Sequence, residues 1–462
     1  MSEQALEANV ATLKADGAAP SVIAAFVDRF QRLTGGDSGF IAESEITPVT
    51  DLPNFDDTIL DDAAVEALSA TAVIRLNGGL GTSMGLASPK CLIPVRDGRS
   101  FLDIVVGQVM ALRRETGARL PLTLMHSYNT SEATMAALKD YPGLMVDGIP
   151  LEFLQSRQPK IEASSRMPVA WPANPEMQWC PPGHGDFYPS MLAAGLLDTL
   201  LNMGFRQLFV ANSDNLGAIP EARLAGWFAA SGAPFAMEVT ARTIMDRKGG
   251  HLAARAADGR LVLRESTQVS PEETDSFMDI TKHGWMNTNN LWMNLQALKQ
   301  ILDANQGTVP LPLIVNRKTV DPADSSTPAV IHLECALGAA IEVFDGATAI
   351  TVPRSRFLPV KSTAELALLR SDVYKFADDD RLVARSNAPI VALDQKHYRV
   401  INDFEARFPH GVPSLVEASS FTVEGDWTFG RGIVAHGAAH LGDPGKPSLV
   451  PDGVTVDENG IS

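Results

Sequence analysis

The chain has 462 residues, room for two or three domains, and 45% of them are hydrophobic while only 20% are charged. That composition describes a packed globular protein rather than a disordered one. A net charge of −17 argues against broad binding to nucleic acid or anionic membranes, which needs a basic surface, although a few local cations suffice for an anionic substrate.

Residues 1 to about 34 carry helical spacing. Leu6, Val10 and Leu13 form one stripe, and Val22, Ile23, Phe26, Phe30 and Leu33 form another after Pro20. These helices read as packing elements without chemistry. Residues 35–70 are acidic and irregular and lead to a short helix over Asp61–Leu68. Glu3 and Glu7 and the lack of an apolar core argue against a signal peptide, and no apolar run approaches a membrane span. Cys91, Cys180 and Cys335 are far apart and form no CxxC pair, so reduced thiols in a cytoplasm are expected and a zinc site is not.

From Ala72 the pattern changes to strands alternating with helices. Strands are expected at Val73–Leu76, Leu122–Met125, Leu151–Leu154, Gln207–Ala211 and Pro234–Thr240, and helices at Phe101–Glu115, Met191–Leu201 and Glu221–Ala230. This order predicts an α/β protein with a mostly parallel sheet covered on both faces. Ligands then sit beyond the carboxyl ends of the strands. Asp378–Asp380 mark a polar break, and from Ser414 short β-like pieces alternate with Gly, Asp and Pro, which suggests a small all-β appendage of stacked turns. The expected division is a helical segment over 1–70, a core over 71–375 and the β appendage over 376–462.

Several segments carry chemistry. In AVIRLNGGLGTSMGLASPK, an apolar strand stops at Asn77 and is followed by Gly78, Gly79, Gly81 and Gly85, then Pro89-Lys90. Glycine lets backbone N–H groups approach phosphate oxygens, and lysine supplies a compact charge. The loop is neither a GxxxxGK[ST] loop nor a dinucleotide fingerprint, since Met84 stands where the third glycine belongs. WCPPGHGD makes a rigid loop that presents His184 between two glycines; a tight turn with a surface histidine reads equally well. In FVANSDNLG, Asp214 stands just past a buried strand, where a carboxylate can hold Mg²⁺ or simply end the strand in an Asx-turn. Lys248-Gly249-Gly250 and the amide row Asn287–Asn290 read as loops or turns, the latter able to bond sugar hydroxyls. PRSRFLPVK sets Arg354, Arg356 and Lys361 on a proline-stiffened segment, which in so acidic a chain suggests anion binding.

LNGGLGTSMG with its Pro-Lys, PPGHGD, NSDNLG, KGG, NTNNLW and PRSRFLPVK stand here in the order found in the eukaryotic-type UTP–glucose-1-phosphate uridylyltransferases, and the chain resembles that family from about residue 72 to 375. The resemblance implies a Rossmann-like nucleotidyltransferase core with a mixed, mostly parallel sheet, and a C-terminal left-handed β-helix-like domain. It implies the Mg²⁺-dependent, reversible reaction of UTP with glucose 1-phosphate to UDP-glucose and pyrophosphate. By that resemblance Leu76, Asn77, Gly78 and Gly79 wrap the nucleotide and Lys90 meets the triphosphate. Gln155 and Gly183 match contacts to the uracil end. His184 and Asn212 match sugar-phosphate contacts, with Lys248, Gly250, Asn287 and Asn289 on the sugar side. Asp214 matches the nucleotide and Mg²⁺ aspartate, and Lys361 the lysine taken as catalytic. Ser88 and Ala211 replace residues common in the family, Gly and Ser, without losing a charge. The N-terminal helices and tail match poorly, so a homo-oligomer is neither implied nor excluded.

The residues fit an in-line attack by a sugar-phosphate oxygen on the α-phosphorus of UTP. The nucleophile is already ionised, so the task is to hold two anions together and to stabilise charge on the departing pyrophosphate. Rival readings are a UDP-sugar pyrophosphorylase of other specificity and a catalytically silent nucleotide-sugar sensor.

Overall fold

The computed structural model describes residues 2–462. Its centre is a ten-stranded sheet. In chain order the strands are β1 (Ile46–Pro48), β2 (Thr71–Asn77), β3 (Leu122–His126), β4 (Glu152–Leu154) and β5 (Gln207–Asn212). They continue with β6 (Phe235–Ala241), β7 (His251–Arg255), β8 (Leu261–Arg264), β9 (Trp285–Asn294) and β10 (Thr348–Thr351). The main path runs β1-β7-β9-β5-β2-β3-β4; β6 pairs with β9 and β10, and β8 with β7. Strands β2 to β7 and β10 run one way, whereas β1, β8 and β9 run the other. The sheet is therefore mixed but mostly of one direction.

Alternation along each strand feeds two separate cores. Val73, Phe209, Ala211 and Trp292 enter one hydrophobic cluster, while Ala72, Ile74, Leu208, Val210, Leu291 and Met293 enter the other. Both faces are dry, which explains why β2 and β5 read as continuous apolar runs. Helix α1 (Ser2–Ala15) and helix α2 (Pro20–Thr34) pack, through Ala5, Leu13, Phe26 and Phe30, against Ile161, Ile331 and Leu333 of a small separate sheet and Leu313 just before it. The predicted helix over Met191–Leu201 is two helices, Phe187–Ala193 and Leu196–Asn202. Gly195 between them takes a left-handed backbone (φ 67°), which ends the first.

Beyond the sheet, Asp378–Asp380 form the turn of a hairpin between Tyr374–Phe376 and Leu382–Ala384. Strands β11 (Ile390–Leu393), β12 (Ser414–Val423), β13 (Val434–Leu441) and β14 (Thr455–Asp457) then pair in parallel in that order. Leu415, Phe421 and Val456 from this stack belong to the same hydrophobic cluster as Val73 and Trp292. Between β11 and β12, Tyr398 joins that cluster and Val400 reaches the glycine-rich loop. The Tyr398 carbonyl accepts from Thr363 Oγ1 at 2.7 Å, and a Cβ on Gly85 would meet Val400 Cγ1 at 2.7 Å. Among the described residues no helix is long and apolar enough to cross a membrane.

Candidate active site

The parallel strands β2, β3 and β5 deliver their carboxyl ends to one edge. At the end of β2 the Asn77 side chain turns inward and is 2% exposed. Its Oδ1 accepts from Ser213 Oγ at 2.8 Å and its Nδ2 donates to Thr134 Oγ1 at 3.2 Å. Asn77 thus ties the glycine loop to the Asp214 loop and offers a ligand only its backbone. A Cβ on Gly78 would lie 2.6 Å from Gln155 Oε1. The glycine loop and the predicted uracil-end residue are therefore in contact. Leu76 is half-buried at the strand end, and Gly79 faces open space. The loop then doubles back: Lys90 N–H donates to the Gly79 carbonyl at 3.2 Å, and its ammonium forms an ion pair with the Asp214 carboxylate.

Gly183 has φ 81°, and any Cβ there would stand 2.6 Å from the Cys335 carbonyl oxygen, so only glycine fits. The turn aims His184 at the cleft. Leu337 N–H donates to His184 Nδ1 at 2.8 Å, which requires a neutral ring with its proton on Nε2. The residue is exposed to the cleft, while the protein packed around it lowers its pKa to about 4 by desolvation. Asp186, two residues on, accepts from Ser156 N–H at 2.6 Å and Ser156 Oγ at 2.7 Å, and so fixes the residue that follows Gln155.

Beside these loops opens a cavity of about 300 Å³. His184, Asn212, Asp214 and Lys361 line it together with Lys248, Gly250, Asn287 and Asn289. Of the residues expected on the nucleotide, Asp214 and Lys361 line this cavity, and Leu76, Asn77, Gly78, Gly79, Lys90, Gln155 and Gly183 lie outside it, grouped around the adjoining loops. One cavity wall carries Glu265, which sequence reasoning passed over: LVLRESTQ has no glycine or proline to draw attention. A Cβ on Gly250 would meet its carboxyl carbon at 2.6 Å. Burial raises the Glu265 pKa while the Lys361 charge opposes that rise.

Two sequence expectations are corrected. Asn287–Asn290 are not a loop but the middle of β9. A register shift between Glu238 and Val239 of β6 and a left-handed backbone at Asn289 (φ 57°) break the ladder there. The distortion lets Asn289 Nδ2 donate to Asn212 Oδ1 at 2.9 Å. Nor are the cations of PRSRFLPVK all available to an anion. Arg354 is paired with Asp246 at 2.7 Å, and Arg356 is buried on Glu238, again at 2.7 Å. Lys361 alone of the three stands exposed at the cleft.

Mg²⁺ prefers oxygen ligands and keeps waters and substrate phosphates in its shell. Among the described residues no cluster of three or more metal-ligating side chains exists. The single carboxylate of Asp214, at the cavity wall and matched to one lysine, nevertheless fits an ion whose remaining ligands come from a nucleotide.

A glycine-rich loop beside an amide-lined cleft, both at the strand ends of this sheet, is the arrangement a nucleotidyltransferase requires. Comparison with known proteins refines the class. Residues 23–436 match the UTP–glucose-1-phosphate uridylyltransferase family model, and the chain belongs to that family. It is 38% identical to the barley (Hordeum vulgare) UTP–glucose-1-phosphate uridylyltransferase over 452 residues, covering 95% of this chain and 93% of that one. Its similarity to the Saccharomyces cerevisiae enzyme is 39% identity over 377 residues, 81% of this chain and 74% of the other. A Leishmania major UDP-glucose pyrophosphorylase mutant solved with UDP-glucose superposes with a TM-score of 0.92 at 41% identity, covering 98% of both chains. A Trypanosoma brucei structure matches at 0.90 and 39%, covering 98% of this chain and 99% of that one.

Proposed function

We propose that this chain joins UTP to glucose 1-phosphate, giving UDP-glucose and pyrophosphate, by the residues named above. The observation that carries the reading is the convergence of Asp214 and Lys361 on one cavity, with Lys90 paired to Asp214 from a third loop. Two anions must be brought together there, and these cations cancel their repulsion. A phosphate oxygen of the sugar phosphate attacks the α-phosphorus while the bond from that phosphorus to the bridging oxygen breaks and pyrophosphate leaves. Lys90 and the loop amides grip the departing end. Lys361 spans the attacking and transferred phosphates. Mg²⁺ held by Asp214 would supply charge neutralisation at the α-phosphate. His184, Asn212, Asn287 and Asn289 orient the sugar phosphate, and Lys248 and Gly250 shape its far side. His184, fixed as a neutral donor through Nε2, adds a hydrogen bond without a charge that varies near pH 7.

The parallel stack β11–β14 supports a left-handed β-helix-like C-terminal domain. The three buried free thiols agree with a reducing cytoplasm. Pyrophosphate release, measured across nucleoside triphosphates and across glucose, galactose and N-acetylglucosamine 1-phosphates, tests the assignment. Turnover should require UTP and favour glucose 1-phosphate. Binding without pyrophosphate would mean a sensor, and equal rates with all sugars would mean a broad-specificity enzyme.

A further inference from the structure

Asn215 follows the metal-site aspartate, does not line the cleft, and is 1% exposed. A buried amide must find two donors and two acceptors or lose stability. Asn215 finds all four. Its Oδ1 accepts from Leu358 N–H at 2.8 Å and from Gly217 N–H at 3.2 Å. Its Nδ2 donates to Asn290 Oδ1 at 3.1 Å and to the Arg356 carbonyl at 3.2 Å. A bridge between Asn215 and Pro359 extends the contact toward Lys361.

These partners lie on three segments: the Asp214 loop itself, the segment that carries Lys361, and the strand that carries Asn287 and Asn289. Behind them, Asn290 Nδ2 donates to the same Arg356 carbonyl and to Glu238. Arg75, with no exposed surface, donates to the Asn212 carbonyl at 3.2 Å and to the Asn215 carbonyl at 3.4 Å, holding the Asp214 loop from below. An aspartate would supply the two acceptors and neither donor. A leucine would supply nothing. Only a primary amide satisfies all three segments at once.

We infer that Asn215 is a positioning residue that fixes Asp214 relative to Lys361. Phosphoryl transfer depends on the reacting atoms being held within a fraction of an ångström, and groups on separate loops need such a tie. The role rests on the uridylyltransferase reading, because it acts through Lys361 and Asp214.

The test compares wild type, Asn215→Ala, Lys361→Ala and the double variant in the pyrophosphate-release assay, with thermal unfolding as a control of the fold. Asn215→Ala should lower kcat about 30- to 100-fold, the scale of a misplaced charge donor, with the KM for UTP changed less than about threefold. Added to Lys361→Ala it should cost less than about threefold more, because the lysine it positions is gone. A purely structural residue would instead multiply its cost in both backgrounds. If Asn215→Ala does not fold, Asn290→Ala, which removes one of the four contacts, should lower kcat three- to tenfold with the same non-additivity. Unchanged kcat, or effects that multiply, overturns the inference while leaving the activity standing. Absence of pyrophosphate release from the wild-type protein overturns the underlying reading instead.

Discussion

Glu238 offers the sharpest quantitative test of how the site is supported. It has no exposed surface and takes four donors on two oxygens: Arg356 Nε and Nη2, both at 2.7 Å, Trp292 Nε1 at 2.9 Å and Asn290 Nδ2 at 3.0 Å. Glu238→Gln keeps the shape but turns an NH₂ group toward donors and leaves the Arg356 charge buried. Breaking a buried pair from one side costs about 3–5 kcal/mol. Glu221, 3.3 Å from Arg356 Nη1, retains part of the compensation and puts the expected loss near the lower end, about 3 kcal/mol. At about 2.1 cal/mol/K per residue, 462 residues unfolding together lose roughly 1 °C per kcal/mol, so the unfolding midpoint should fall by about 3 °C, followed by circular dichroism with and without UTP. Glu238→Met combined with Arg356→Met removes both charges and should be no less stable than Glu238→Gln. A fall below about 1 °C in the single variant, or a less stable double variant, would refute the argument from uncompensated charge.

Other expectations follow from the same geometry. Lys361→Ala should lower kcat at least ~10²-fold while the fold survives, since Lys361 stands exposed at the cleft; near-normal turnover would remove it from catalysis. Asp214→Asn should shift the Mg²⁺ titration of activity to higher concentration, and an unaltered titration would place the metal elsewhere. Gly250→Ala drives a Cβ to within 2.6 Å of the Glu265 carboxyl carbon and should raise the KM for glucose 1-phosphate by about tenfold but not that for UTP; equal changes in both would argue against a sugar-side role. Buried His126 and His251 have pKa values lowered to about 4 and about 3 by desolvation. The unfolded chain takes up these protons near pH 6.5 and the folded chain does so only far lower, so their contribution is present above pH 6.5 and lost as pH falls. Stability at pH 5 should be below that at pH 8 by roughly 2 kcal/mol for each ring; equal urea midpoints at the two pH values would contradict buried neutral rings.

The core strands were legible because both faces of β2 and β5 are dry and leave unbroken apolar runs. The meeting of the glycine loop and the Asp214 loop at one sheet edge was legible because each directly follows a buried parallel strand. Asn287–Asn290 were not read as strand, since asparagine is depleted in strands and only the bulge and the left-handed Asn289 make this one fit. Arg356 looked like a cation for an anionic ligand because its true partner, Glu238, stands 118 residues away inside an otherwise apolar strand. Glu265 was silent for a related reason: its value comes from Gly250 and Lys361, which the fold and not the local sequence brings beside it.

The contacts of Tyr398 and Val400 have a consequence for how the molecule comes apart. Thr363, two residues past Lys361, and Gly85, inside the glycine-rich loop, are both held by this short stretch beyond the polar break. A protease cutting at the exposed Asp378 would sever the backbone between that stretch and both of them. The two pieces would still share one apolar cluster, with Tyr398 and Phe404 on one fragment facing Val360 and Leu366 on the other. A nicked chain should therefore elute at its original size under native conditions and divide only in denaturant, and the longer first fragment expressed alone would carry the glycine loop and Lys361 without the surface that shapes them.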